Sequence, residues 1–194
     1  MVTRRDVVVA GASALAMSLT LSLPASAQSA DTSPIRIGEI NSYTAMPAFT
    51  LPYRQGMQLA VDQINAAGGV LGRKLELVIR DDAGKPEDAV RVAGELVSSE
   101  KVAVLAGTFF SHIGLAVSEY ARMNKVLFVA SEPLTDALTL DKGHRYAYRL
   151  RPSTLMQVGM LVEEAVKLPA RKWVTVDVGA EANPERRTVW TAPY

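Results

Sequence analysis

The sequence predicts an α/β fold, a doubly wound parallel sheet, on three observations. Short strand-like runs alternate with stretches of helical apolar period along most of the chain. Two of those runs, 102–106 and 126–130, are apolar throughout, as expected of strands buried on both faces. Helices restart at proline or serine and stop at glycine, so each unit is punctuated. Right-handed crossovers then place helices on both faces of the sheet.

In order, residues 35–40 alternate apolar side chains and open the domain as a strand, followed by a loop over 41–51 with Asn41-Ser42-Tyr43-Thr44. Pro52 is placed to begin a helix, with Met57, Ala60, Val61 and Ile64 at helical spacing and Gly68-Gly69 as its stop. Leu75, Leu77 and Ile79 alternate as a second strand that runs into Asp81-Asp82. Pro86 starts the next helix with Glu87 and Asp88 in its first turn, where the helix dipole favours acids; Ala89, Val92, Ala93, Leu96 and Val97 form its apolar face. Strand 102–106 ends at Gly107-Thr108-Phe109-Phe110-Ser111. A helix from His112 to Asn124 follows, and strand 126–130 ends at Ser131-Glu132-Pro133. Residues 146–150 read as a short strand, Ser153 as the cap of a helix reaching Lys167, and 172–176 as one more strand. Residues 177–194 carry Pro184, Pro193 and Arg186-Arg187 without apolar period, and are expected to be a tail, truncated or frame-shifted.

The N-terminus reads as an export signal. Arg4-Arg5 precede an apolar stretch, and Pro24 precedes Ala25-Ser26-Ala27, small residues at the spacing a signal peptidase accepts. Cleavage after Ala27 gives a domain that starts at residue 28, with a periplasm or the cell exterior as its destination. The paired arginines fit a twin-arginine route as well as the general secretory one. A membrane span needs roughly 20 apolar residues, more than this serine-rich stretch supplies.

Without this leader the chain carries 19 basic and 19 acidic groups. That balance argues against a nucleic-acid partner, whose binding rests on a basic surface. No cysteine is present, which removes disulfides and thiolate metal sites. His112 and His144 stand 32 residues apart without an HExxH pattern, so both read as surface histidines and no metal or other cofactor is expected. Gly68-Gly69-Val70-Leu71-Gly72 follows a helix and precedes a strand, the reverse of a phosphate loop, and is a turn. No GxSxG elbow exists, so no enzymatic activity is expected. Asp81-Asp82 reads either as an acid pair or, on an extended chain that points neighbours to opposite sides, as solvated residues capping a turn.

One loop invites a functional reading. At Gly107 to Ser111 a buried strand delivers the chain to a helix N-terminus, where free N–H groups and the positive dipole end can hold a carboxylate. Ser111 either adds a hydroxyl to that site or only caps its helix. Phe109 and Phe110 either line an apolar pocket or pack under the sheet.

The run Asn65 to Leu75 (NAAGGVLGRKL), leading to Asp81-Asp82, Pro86 and then 102–111, resembles the branched-chain amino-acid binding proteins of ABC importers over about residues 34–176. This resemblance implies the first lobe, incomplete, of a type I periplasmic binding protein whose two lobes close on an amino acid or related small carboxylate and then meet a permease. It places the ligand-loop serine at Ser111 and the next ligand-contacting turn at Ser131 and Glu132. The loop after the first strand falls at Thr44-Ala45, where the family's glycine is replaced. Glu132 stands where small or hydroxyl residues are usual. Most of a second lobe, with the acid that meets a ligand ammonium, has no counterpart in the chain. A sensing receptor built on the same lobe, or an enzyme of doubly wound fold, are the alternative classes.

Overall fold

A computed structural model describes residues 32–169, 172–173 and 190–191. The leader expected at 1–27, the strand residues 174–176 and the tail at 177–194 apart from Trp190 and Thr191 lie outside the described residues. Within them run β1 (Ile35–Asn41), α1 (Pro47–Ala66), β2 (Leu75–Asp81), α2 (Pro86–Ser98), β3 (Val104–Gly107), α3 (Ser111–Asn124), β4 (Leu127–Ala130), β5 (Ala147–Arg149) and α4 (Thr154–Ala165). A 3-10 turn, Asp136–Leu138, lies between β4 and β5.

The first five strands form one parallel sheet in the order β2-β1-β3-β4-β5. Its core joins Ile40, Leu105, Phe128 and Ala130 to Ala89, Val92, Ala93 and Leu96 of α2 and to Ile113, Val117 and Ala121 of α3. The helix-period apolar residues of α2 are thus the ones buried. Successive strand residues face opposite ways, so Glu39, next to Ile40, faces the other side of the sheet, with Tyr53 and Arg54 of α1 close enough to act on it. Helices on both faces make the sheet doubly wound, as expected.

Several boundaries differ from the sequence reading. Helix α1 begins at Pro47, so the loop after β1 shrinks to five residues, 42–46, and Pro52 lies inside the helix. Pro47 needs no N–H at a helix start, and Thr50 and Phe49 both donate to the Met46 carbonyl, which nucleates the turn before Pro52 is reached. Ser153 caps α4 as expected: its Oγ accepts from Met156 N at 3.2 Å. Helix α4 nevertheless buries none of its residues, and Leu155, Met160 and Leu161 are each more than 60% exposed. Lys172–Trp173 (β6) does not join the parallel sheet. It pairs antiparallel with Trp190–Thr191 (β7).

Candidate functional site

The strand order reverses between β1 and β3: the chain leaves β1 toward β2 on one side and returns to β3 on the other. At such a switch point the loops at the strand C-terminal ends diverge and leave a crevice. Four loops meet at this edge, following β1, β2, β3 and β4.

The β3 loop is shaped by backbone. Gly107 has φ +104° and Thr108 φ +66°, two left-handed residues in succession that turn the chain sharply. A β carbon on Gly107 would lie 2.3 Å from the Ile40 carbonyl oxygen and 2.7 Å from Glu39 Oε1, so only glycine fits. Thr108 N donates to Ile40 O at 2.6 Å, and Ser131 N donates to Gly107 O at 3.0 Å, which ties the β1, β3 and β4 ends together. Phe110 then occupies the cap position in extended conformation, and Ser111 is the first residue of α3.

Ser111 therefore does not cap its helix. Its Oγ accepts from the N–H groups of Leu134 and Thr135, at 3.3 and 3.2 Å, and so holds the β4 loop against the β3 loop. The hydroxyl proton is not used in either bond. Gly114, one turn on, lets the β4 loop come close, since a β carbon there would lie 2.5 Å from Pro133 Cγ.

The two acids at the end of β2 divide their roles. Asp81 Oδ1 accepts from Ala83 N at 2.9 Å and from Thr44 N at 3.4 Å, a turn cap as expected. Asp82 is not solvated; it is fully buried. Its Oδ1 accepts from Ser42 Oγ at 2.6 Å and from Gly84 N at 2.8 Å, and burial pushes its carboxyl above the usual range against these bonds. This oxygen joins the β1 and β2 loops, as Asp81 Oδ1 also does through Thr44 and Ala83.

Beside it lies Glu39, a fully buried acid on β1. Burial raises its carboxyl to about 8, opposed by hydrogen bonding to Tyr43 and Asn41 and assisted by the charge of Asp82. The Tyr43 hydroxyl donates to Glu39 Oε2 at 2.5 Å, and the Arg54 guanidinium sits 5.8 Å from the centre of the Tyr43 ring. Tyr53 is pushed up to about 12, chiefly by burial, with Ser131 and Glu39 among its neighbours. Glu132 is half-buried; burial raises it, while Arg151 and Asn41 pull it down.

Glu39 Oε1, Asn41 Nδ2, Asp82 Oδ2, Thr108 Oγ1 and Ser131 Oγ are buried without a well-formed hydrogen bond. Asn41 is near enough to Glu39 and Glu132 to steady both acids, and Ser131 to act on Tyr53, yet none of these contacts has good bonding geometry. The five residues lie at or just beside the C-terminal ends of four neighbouring strands. Buried polar groups normally find partners, so such a concentration marks a place where water or a ligand completes the bonding.

Of the residues singled out in the sequence, Ser131 and Glu132 belong to this network, and Ser111 joins it by holding the adjoining loop. Phe110 packs against the core from its edge, and Phe109 bridges Phe110 and Phe49, with ring centres 5.1 and 5.5 Å away. Thr44 is exposed and is tied to Asp81. Sequence reasoning missed Glu39, Asn41, Tyr43, Tyr53, Asp82 and Thr108 as a group. One signal was present: Glu39 continues the face of Ile35 and Ile37, a charge where the alternation calls for an apolar residue.

His144 is not a surface histidine. Its ring is half-buried, Nδ1 accepts from Tyr146 N at 3.2 Å, and Nε2 lies 2.9 Å from Ser118 Oγ and 3.0 Å from Ser118 O. Since Nδ1 accepts, Nε2 carries the proton, and the pair fastens the β5 approach to α3. His112 is exposed and stacks beside Phe110, 5.6 Å between ring centres.

The geometry agrees with comparison to known proteins. A family profile described as periplasmic binding protein matches residues 34–187. The chain belongs to the periplasmic binding protein family. Among relatives, it is similar to Leu/Ile/Val-binding protein homolog 7 of Brucella suis, with 36% identity over 118 residues, which is 61% of this chain and 29% of that protein. It is also similar to an amino acid binding protein of Pseudomonas aeruginosa, 40% identical over 84 residues, 43% of this chain and 22% of that one. Among solved structures, the branched-chain amino acid transporter substrate binding protein LivJ of Streptococcus pneumoniae, in complex with isoleucine, superposes with a TM-score of 0.58 at 30% identity, covering 62% of this chain and 34% of that one. An ABC transporter substrate-binding protein of Desulfitobacterium hafniense in complex with Leu shares the fold, with a TM-score of 0.64 at 23% identity over 76% of this chain and 44% of that one. The matched stretch spans less than a third of the length of these curated periplasmic binding protein relatives.

Proposed function

We propose that this chain forms one wall of the ligand cleft of an exported solute-binding protein that serves an ABC importer, and that its ligand is an amino acid or related small carboxylate. The observation that carries the reading is the set of unpartnered buried polar atoms at the switch point, on the edge where open parallel sheets take ligands. Leu/Ile/Val-binding relatives support the amino-acid class, and structural neighbours crystallised with isoleucine and with 4-hydroxybenzoate have a carboxylate ligand in common. In this reading Ser111 spends its lone pairs on the β4 loop and offers its proton to the ligand carboxylate. Thr108, Ser131 and the α3 N-terminus supply further polar contacts, Phe109 and Phe110 border the apolar part, and Thr44 and Glu132 flank the entrance.

Residues 1–27 would direct the protein to the periplasm and be removed. Helix α4, which buries nothing against the first lobe, would begin a second lobe, with the hinge at 150–153. Closure of the two lobes would then present a surface to the permease.

The test is a titration of L-isoleucine and of 4-hydroxybenzoate into the chain and into Ser111→Ala. Loss of a hydrogen bond to a charged group weakens binding by about 1.5–3 kcal/mol, roughly 10- to 100-fold. Ser111→Thr should keep most of the affinity. Equal binding by Ser111→Ala and the parent would remove Ser111 from the site.

A further inference from the structure

Building on the carboxylate-binding reading above, we propose that Glu39 is a positioning residue of the cleft: in its uncharged form it releases the Tyr43 hydroxyl proton toward a ligand carboxylate, and in its charged form it captures that proton and closes the donor off.

The geometry is that of a relay with one free end. Glu39 is fully buried on β1, Tyr43 is half-buried in the loop that follows, and the two side chains meet at 2.5 Å. A carboxylate can only accept, so against charged Glu39 the phenol must point its proton inward. A carboxylic acid has a proton of its own to donate. With Glu39 uncharged, the bond can run from Glu39 to the phenol oxygen, and the Tyr43 O–H turns outward to an acceptor. Between the two forms Glu39 takes up or releases one proton, exchanged with solvent water; Tyr43 keeps its own O–H bond throughout and only turns it.

The surroundings favour the uncharged form at neutral pH. Glu39 Oε1 has no hydrogen-bond partner and lies against the Gly107 backbone of β3, a position that strands a negative charge. Every charged or titratable group acting on Glu39 can be named. Tyr43 bonds to it from the loop after β1, Asn41 lies near it at the end of β1 without a well-formed bond, Asp82 repels its charge from the β2 loop, and Arg54 and Tyr53 face it from α1. Among the described residues that act on it, Arg54 is the cation, and it is exposed, where solvent weakens its pull. The carboxyl accordingly sits at about 8. An incoming carboxylate therefore meets a neutral Glu39 at neutral pH and a like charge above pH 8.

The experiment uses the full chain labelled with carbon-13 at the tyrosine ζ position and the glutamate carboxyl. The Tyr43 signal is assigned by its loss in Tyr43→Phe. In the parent, a glutamate carboxyl should titrate near pH 8 and the Tyr43 signal should step at the same midpoint. In Glu39→Gln, an uncharged near-isostere, both steps should vanish while the chain stays folded. Should Glu39→Gln fail to fold, Tyr43→Phe decides, because removal of the phenol should raise the glutamate midpoint. A Tyr43 signal that stays flat from pH 6.5 to 9.5 in the folded parent, or a Glu39 midpoint unmoved in Tyr43→Phe, overturns the proposal. These readouts need no ligand, so they stand apart from the fate of the transport reading. A second arm measures L-isoleucine binding at pH 6.5 and 9.5. The parent should lose about tenfold, whereas Glu39→Gln should bind equally at both. Equal binding by the parent at both pH values contradicts the relay, and no binding at either pH contradicts the amino-acid reading alone.

Discussion

A single acid on a strand sets much of how this lobe responds to pH. Glu39 holds its proton in the folded chain up to about 8 but in the unfolded chain only to its ordinary value of 4.5. The folded state therefore binds more protons between these limits, and stability is full below them and falls as pH rises toward 8. Asp82, raised by burial, acts in the same direction. Urea unfolding at pH 5 and pH 8 should differ by roughly 3–5 kcal/mol, most of it absent in Glu39→Gln. A pH-independent unfolding midpoint in the parent would show that Glu39 is solvated or charged. Ser111 contributes at the same scale: Ser111→Ala leaves the Leu134 and Thr135 amides without their acceptor and should cost about 1–2 kcal/mol. Ser111 was legible in the sequence as a residue at a strand-to-helix turn. Its partners were not, because they come from a loop more than twenty residues away.

Between elements, the contact of α3 with the β4 loop decides where Ser131 and Glu132 stand. Gly114 permits it: its place holds Pro133 where a methyl group would go. Alanine at a helix interior is favoured over glycine by about 1 kcal/mol, so a Gly114→Ala variant judged by propensity alone should gain stability. We expect a net loss of about 1–2 kcal/mol instead, since the proline ring cannot swing aside and overpacking commonly costs 1–3 kcal/mol. Thermal unfolding checks this, and a raised midpoint would contradict the packing described. The same scale shows what period and punctuation reveal. Strand alternation, the α2 apolar face and the Ser153 cap follow from local rules and are legible residue by residue. The start of α1 is not: two prolines each offer a start, and the choice of Pro47 over Pro52 turns on the bonds of Thr50 and Phe49 to Met46, which no periodicity reports. Buried Asp82 escaped notice for a similar reason, as adjacent acids at a strand end look alike until a serine from another loop, Ser42, selects one.

For the molecule as a whole, the apolar face it leaves uncovered is as informative as its core. Leu150, Leu155, Met160 and Leu161 are exposed by 63% or more, on and just before a helix that buries none of its residues. Such a patch binds hydrophobic dyes and promotes association. Leu155→Gln with Leu161→Glu should lower dye binding and self-association with no loss in thermal midpoint. A fall in midpoint would mean that these side chains are packed after all. The doubly wound architecture was legible at this scale because alternation of element types dictates it. The strand order, and with it the switch point between β1 and β3, needed the structure, since pairing is a long-range property.

The central claim is that the strand C-terminal edge at this switch point is a carboxylate-binding wall. The most direct measurement is a map of backbone amide shifts in the nitrogen-15-labelled chain during titration with millimolar L-isoleucine and 4-hydroxybenzoate, each run beside its carboxamide. At least one carboxylate, and not its amide, should perturb residues 41–44, 82–84, 107–111 and 131–135. Shifts centred instead on the opposite end of α3, around Arg122 and Gly143, or none at any concentration, would contradict it.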